Sequence, residues 1–207
     1  MTTAIAPVTE EEFFARYGPG ARVELVDGQV EPKYGADGPL SPTSNAHGRV
    51  VMKLVLRLGV YVERNALGEV YADPACFIIS EQLKRIRCPD VAFVATGREP
   101  AVLRVGEFLR LAPDLAAEVV PPSEPRSYTD RKVQHYLEAG VRLVWRIDLK
   151  GRSAAAYGPG GTVVDLAESD ALDGGDVVPG FTVPIAELFA GVAAERGGPG
   201  APRRRAR

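Results

Sequence analysis

The sequence predicts an α+β fold, a mixed β-sheet flanked by helices with a β-hairpin near the N-terminus. Two strand-like runs, RVELV and QVEPK, flank Asp27-Gly28, a strong two-residue hairpin signal. Two segments, His47 to about Asn65 and 128–139, carry apolar residues at helical spacing. Short apolar runs lie between and after them, so the order is helix, hairpin, helix, several strands, helix, strand, which suits a mostly central mixed sheet.

The elements follow in order. Residues 1–8 read as a loose leader. Thr9 is an N-cap, Glu10, Glu11 and Glu12 put acid in the first turn, and Glu12 completes a capping box. That short helix ends at Gly18-Pro19-Gly20, and residues 34–46 form a loop rich in Gly, Pro, Ser and Asn. In the long helix Val50, Val51, Leu54, Val55, Leu58 and Val62 repeat at three and four. Arg49, Lys53 and Arg57 line another face. Residues 69–80 and 84–95 are expected to be strands joined by a turn near Glu81-Gln82, and 96–113 a short helical or irregular insert. LAAEVV, 115–120, is a compact strand followed by a Pro-rich loop. Helix 128–139 has Ser127 as its expected cap and Gly140 as its stop. VRLVWRID, 141–148, alternates as a strand, with Val141, Leu143, Trp145 and Ile147 on one face. Shorter strands follow at 153–157 and 161–166, and the ending VPGFTVPIAELFA packs Phe181, Leu188 and Phe189 on the core.

Composition bounds the function. The chain has 207 residues, 45% hydrophobic and 25% charged, which fits one globular domain over 8–190. Residues 191–207 shift to Ala, Gly, Pro and Arg and are expected to form a disordered basic tail. No apolar run approaches the ~18 residues of a membrane helix, and the N-terminus lacks a secretory pattern. A cytoplasmic location is expected, with Cys76 and Cys88 as reduced, mostly buried thiols. Net charge is −2, and the ending RRRAR holds four Arg, which leaves −6 on residues 1–202. Such a body does not draw in a polyanion at long range, so nucleic-acid contact requires local basic groups, a bound cation or the tail. Arg49–Lys53–Arg57 and RRRAR are the basic groups on offer, with a solvated helix face and a solvated tail as the plain alternatives.

Five positions are candidates to carry the chemistry. Glu118 interrupts an otherwise apolar strand, with Ala116 and Val120 on its face. A carboxylate there is expensive unless paired, protonated or bound to a cation. Asp90 follows Pro89, which marks a strand entry, and so sits at the mouth of the run Val91-Ala92-Phe93-Val94. Asp114, in a second Pro-Asp pair, reads as a turn residue. If Asp90 and Glu118 converge to about 4 Å, they repel by ~4 kcal/mol at an effective dielectric of 20. A hard cation such as Mg²⁺ relieves that, and no Cys/His cluster competes for zinc. Lys132, with Tyr136 one turn on, is placed to face such a pair; a solvated helix lysine is the plain alternative. Glu24 in the hairpin and His47 at the start of the long helix have similar standing.

The series RVELVDGQV, His47 opening a long helix, LGEVY, CPDVAFV, PDLAAEVVPPSE, DRKVQHYLEAGVRLVWRID and LDGGDVVPGFTVPIAELF resembles the Uma2 family of restriction-endonuclease-like proteins over 8–190. The resemblance implies the PD-(D/E)xK nuclease fold, with Asp90 and Glu118 as metal ligands for Mg²⁺ or Mn²⁺. It places Lys132 where it assists the water nucleophile, with Glu24 and His47 lining the catalytic site. The position two after Glu118, where many such nucleases keep Lys, is Val120, and Lys132 of the next helix takes its role. Pro121 stands where the family usually has Ser. The implied activity is metal-dependent hydrolysis of DNA phosphodiesters, with DNA as partner and no membrane association; a homodimer is left open. A nuclease-like domain acting as a non-catalytic nucleic-acid-binding or assembly module is the alternative. A glycosidase would need aromatic platforms, and the single Trp lies in a core strand.

Overall fold

The computed structural model describes residues 7–17, 21–33, 45–100, 102–122 and 124–193. The predicted leader, loop and tail therefore lie largely outside the described residues. Helix α1 (Glu10–Arg16) opens with the expected capping box of Thr9 and Glu12. Strands β1 (Val23–Val26) and β2 (Gln29–Pro32) form the expected hairpin. Asp27 and Gly28 both take positive φ, 51° and 77°, the backbone a tight two-residue hairpin needs. Helix α2 (Asn45–Arg64) starts two residues earlier than expected.

The two long strands expected over 69–80 and 84–95 are each broken. Four pieces result: β3 (Gly68–Ala72), β4 (Phe77–Ser80), β5 (Arg85–Arg87) and β6 (Val91–Ala95). Asp73-Pro74 interrupts one arm and Pro89 the other, and a proline cannot donate to a ladder. The arms consequently change sheets at the same level: β3 pairs with β6, while β4 pairs with β5. The main sheet has order β10-β9-β8-β7-β6-β3, with β7 (Leu115–Val120), β8 (Leu143–Asp148), β9 (Ser153–Tyr157) and β10 (Val163–Leu166). Only β7 and β8 are parallel, joined through helix α3 (Arg126–Glu138). The second sheet has order β2-β1-β5-β4 and packs Leu25, Ile78 and Ile86 with Phe13 of α1. A ribbon of β11 (Ala171–Asp173) and β12 (Thr182–Pro184) leads into α4 (Ile185–Phe189).

Alternation sorts the faces of the main sheet. Val50, Leu54, Leu58 and Val62 of α2 pack with Val91, Phe93, Leu115, Ala117, Val119, Trp145 and Ile147. Phe181, Leu188 and Phe189 join this layer, as expected. Val133 and Tyr136 of α3 cover the other face with Ala92, Val94, Ala116 and Val144. Val141 belongs to this second layer because β8 begins only at Leu143, correcting the face assigned from alternation. The α3 cap also differs. Pro125 occupies the N-cap without a side-chain hydrogen bond, and Ser127 lies inside the first turn, since proline pre-sets an extended φ there.

Segment 96–113 contains no helix among its described residues. Its Leu109 bridges Phe77, and a cavity of about 570 Å³ lies beside it, lined by Phe14, Tyr17, Phe108 and Leu109 among others. Asp114 fastens the feet of this excursion. Its carboxylate accepts from the Ala95 amide at 2.8 Å and pairs with Arg98 at 2.6 Å and Arg142 at 3.1 Å. Asp114 is thus a buried clamp rather than a plain turn residue.

Two further expectations are corrected. Cys76 and Cys88 form a disulfide, because the β4–β5 register sets Phe77 opposite Arg87 and so brings the two cysteines to a Cα–Cα distance of 4.1 Å. Lys53 and Arg57 are not a free basic row. Lys53 donates to the Glu187 and Ala190 carbonyls, and Arg57 pairs with Glu187 at 2.8 Å, tying α2 to α4. No helix among the described residues is long and apolar enough to cross a membrane.

Gly68 is where backbone approach is tightest. Its φ is +145°, and a Cβ there would lie 2.0 Å from the Val94 carbonyl oxygen and 2.8 Å from the Thr96 nitrogen. Both neighbours are backbone, so neither can give way. Gly68→Ala is expected to cost at least about 3 kcal/mol in chemical denaturation; an unchanged unfolding midpoint would contradict this packing.

Candidate active site

The functional side chains gather where the two sheets meet, at the start of β6. The β6–β7 register sets Val91 opposite Ala117, which places Asp90 opposite Glu118 on the α3 face. Directly opposed residues of an antiparallel pair have Cβ atoms ~4.5–5.5 Å apart. Both acids are buried, at 2% and 4% exposure. One oxygen of Asp90, Oδ2, accepts from the Val119 amide at 2.9 Å and from His47 Nε2 at 3.1 Å, which assigns that ring proton to Nε2. The other, Oδ1, is buried and has no hydrogen-bond partner; the Lys33 ammonium stands 3.8 Å away.

Glu118 takes both its hydrogen bonds from α3. Lys132 Nζ donates to Oε2 at 3.1 Å and the Tyr136 hydroxyl to Oε1 at 2.7 Å. Positions 132 and 136 are one turn apart, so a single helix face supplies both donors. The Lys132 side chain is itself buried, passes 5.2 Å from the Tyr128 ring centroid, and also approaches the Lys33 carbonyl at 3.4 Å.

Glu24 is placed differently. It is fully buried, with Oε2 taken by Arg87 Nη1 at 2.6 Å and Oε1 by the Cys88 amide at 2.9 Å. Arg87 also donates to His135 Nδ1 at 2.8 Å. Glu24 therefore holds a structural ion pair next to the site, within electrostatic reach of Lys132 and Glu118. His47 is the third residue of α2 and touches Asp90 directly.

The charges are mutually adjusted. Burial pushes Glu118 up to about 7; Lys132 pulls against this, while the charges of Asp90 and Glu24 add to it. Burial acts the same way on Asp90, but the His47 hydrogen bond and the Lys33 charge win and hold it at about 2. Burial disfavours the Lys132 ammonium, yet Glu118 and Glu24 keep it well above the ordinary lysine range, so it stays charged. Burial likewise opposes the charged form of His47, but Asp90 holds it above its usual value.

Lys33 and the Arg87–His135 pair were not singled out from the sequence. Lys33 follows Pro32 at the end of an ordinary-looking hairpin, and its Nζ pairs with Asp73 as well as facing Asp90. Nothing local distinguishes it from a surface lysine. Arg87 is legible only in hindsight, as an Arg beside Cys88-Pro89-Asp90 at the junction of the sheets.

The donor set fits a hard divalent cation. Asp90 Oδ1 is an unsatisfied buried oxygen, and burial together with two neighbouring carboxylates keeps Glu118 from ionising readily. Among the described residues no group of three or more His, Cys, Asp or Glu side chains gathers as a ligand cluster.

A mixed sheet with a parallel β7–α3–β8 crossover, with an acid on each of two paired strands and a lysine on the crossover helix, is the arrangement this chain builds. The fold resembles that of a protein titled "putative nuclease belonging to DUF820" from Anabaena variabilis, with a TM-score of 0.74, 17% identity, and coverage of 89% of this chain and 98% of that one. Residues 10–186 match the family described as "Uma2: Putative restriction endonuclease", and the chain belongs to that family. No curated protein matches it.

Buried His135 yields a pH prediction. Burial, with Arg87 and Arg85 adding to it, pushes its pKa down to about 4 from the ordinary 6.5. A base whose folded pKa is depressed takes its proton more readily when unfolded. Its contribution to stability is therefore complete above about pH 6.5 and is lost as pH falls towards 4. His135→Asn keeps an acceptor for Arg87 without the titration, so its stability should fall less than the wild type's between pH 7 and 4.5. Parallel curves would refute the assignment.

Proposed function

We propose that the protein is a divalent-cation-dependent endonuclease that hydrolyses DNA phosphodiester bonds. The observation that carries this reading is the opposed pair Asp90 and Glu118, buried across β6 and β7, with Asp90 Oδ1 unsatisfied and Lys132 on Glu118. Asp90 and Glu118 would hold Mg²⁺ or Mn²⁺. Such a cation, when bound, polarises a phosphoryl oxygen and lowers the pKa of a coordinated water.

The chain's own residues do the rest. The new bond joins a water oxygen to phosphorus, the bond from phosphorus to the leaving sugar oxygen breaks, the attacking water gives a proton to solvent, and the leaving oxygen takes one from solvent water to depart as the alcohol. Negative charge grows on the phosphoryl oxygens as this happens. Lys132 stays an ammonium and so serves as a fixed positive charge that positions the water and offsets the growing charge, not as a base. His47 and the Val119 amide fix Asp90 in one rotamer through Oδ2 and leave Oδ1 without a hydrogen bond, the oxygen that would hold the cation. Glu24, through Arg87 and Cys88, holds the β5–β6 junction from which Asp90 projects. A cation also answers the charge balance: the body of the chain is acidic, and a metal makes the site attractive to a phosphate.

The test uses plasmid and single-stranded DNA with Mg²⁺ or Mn²⁺, and EDTA as control. Asp90→Asn and Lys132→Met are each expected to lower cleavage at least ~100-fold, about 2.7 kcal/mol of transition-state stabilisation. Asp90→Asn should also abolish thermal stabilisation by Mn²⁺, which Lys132→Met should retain. Equal nicking by wild type and both variants, or nicking that survives EDTA, would overturn the reading. DNA binding without cleavage would favour the non-catalytic module.

A further inference from the structure

Helix α2 presents an apolar stripe to the outside. Met52, Leu56 and Val60 are 56%, 57% and 43% exposed, and they recur every four residues along one line of the helix. The opposite face of the same helix is the core layer of Val50, Leu54, Leu58 and Val62, so α2 is apolar on two sides and only one is covered. Exposed Arg49 and Glu63 extend the stripe at its two ends.

The spacing is self-complementary. Arg49 lies seven residues before Leu56 and Glu63 seven after; Met52 lies four before and Val60 four after. Two such helices crossed antiparallel about a two-fold axis at Leu56 set Leu56 on its own copy, Met52 on Val60 and Arg49 on Glu63. A two-fold interface of this kind uses one patch twice, so each pairing occurs twice. Neither Arg49 nor Glu63 has an ion pair among the described residues; the Arg49 guanidinium lies beside Gly191 just past α4, while neighbouring Lys53 and Arg57 bond α4 itself. Gly48 and Gly59 flank the stripe, and a Cβ at either would meet nothing within 4 Å, so the surface there is open to a close approach.

We infer that this face of α2 docks a second copy of the chain as an antiparallel helix pair, centred on Leu56 and locked by reciprocal Arg49–Glu63 ion pairs. Three apolar side chains per copy make a small interface, of the kind that assembles and dissociates with concentration. The dimer does not depend on the nuclease chemistry, and no residue of the catalytic site takes part in it.

The experiment is sedimentation equilibrium on the full chain from about 1 μM to about 1 mM, with thermal unfolding as a fold control. The mass should rise from one chain towards two across this range. Leu56→Glu should stay monomeric throughout. Arg49→Glu alone and Glu63→Arg alone set like charges opposite each other and should each weaken association at least ~10-fold. Mixing those two single variants, or combining both changes in one chain, restores opposite charges and should recover association to within ~3-fold of wild type. A wild type that is monomeric at every concentration would overturn the proposal. So would an association that survives Leu56→Glu, or one the charge swap fails to rescue; a swap that fails while Leu56→Glu still acts would mean that something else covers the stripe.

Discussion

Glu118 sits in a strand whose six residues are all buried, and an ionised carboxyl has no place there unaided. Its charge is met from α3 by Lys132 and Tyr136, which fixes how that helix must rotate over the sheet. Lys132 in turn cannot be buried without Glu118. The parallel β7–α3–β8 crossover is the shortest chain path that brings the two together, since helix and strand are consecutive elements. Around this pair the same demand is met twice more: Lys33 and His47 for Asp90, and Arg87 for Glu24. Three buried carboxylates, each with its own cation or cationic neighbour, hold two sheets and two helices in one arrangement.

That arrangement leaves a shortfall at its centre. Asp90 is held ionised by the His47 hydrogen bond and the Lys33 charge, yet its Oδ1 has no hydrogen-bond donor. Glu118, opposite it, is pushed towards the protonated state. A buried carboxylate oxygen without a donor is costly as pure structure, and Arg87 Nε of the neighbouring Glu24 pair is likewise without an acceptor. Selection for stability alone would fill the gap with another donor or remove the acid.

Much of this was legible in the sequence. The capping box, the Asp-Gly hairpin, the long amphipathic helix and the compact strand 115–120 each rest on local pattern, and each stands. Glu118 announced itself because a charge inside an apolar run has few explanations, and Lys132 and Tyr136 because their spacing puts them on one helix face. The failures are of long range. Cys76 and Cys88 are twelve positions apart, and only the register of β4 on β5 makes them neighbours. The breaks at Pro74 and Pro89 are visible as residues, but that the chain changes sheet there is a property of the pairing. Lys33 looks like any hairpin lysine, and its burial depends on Asp73 and Asp90, forty or more positions away. The Arg49–Lys53–Arg57 row was correct as a helix face, yet two of its three members are spent on α4.

The Asp114 clamp bears on how the family could diversify. Because one carboxylate ties the two ends of the excursion between β6 and β7 together, the spacing of the strands bearing the two acids is held there by side-chain bonds as well as by the ladder. Doubling the length of such a segment costs only ~0.6 kcal/mol in closure entropy. Length changes in that segment are thus separated from the spacing of β6 and β7 by one ionic tie, and would be felt first at the apolar hollow and the edge of β4 that its described residues border.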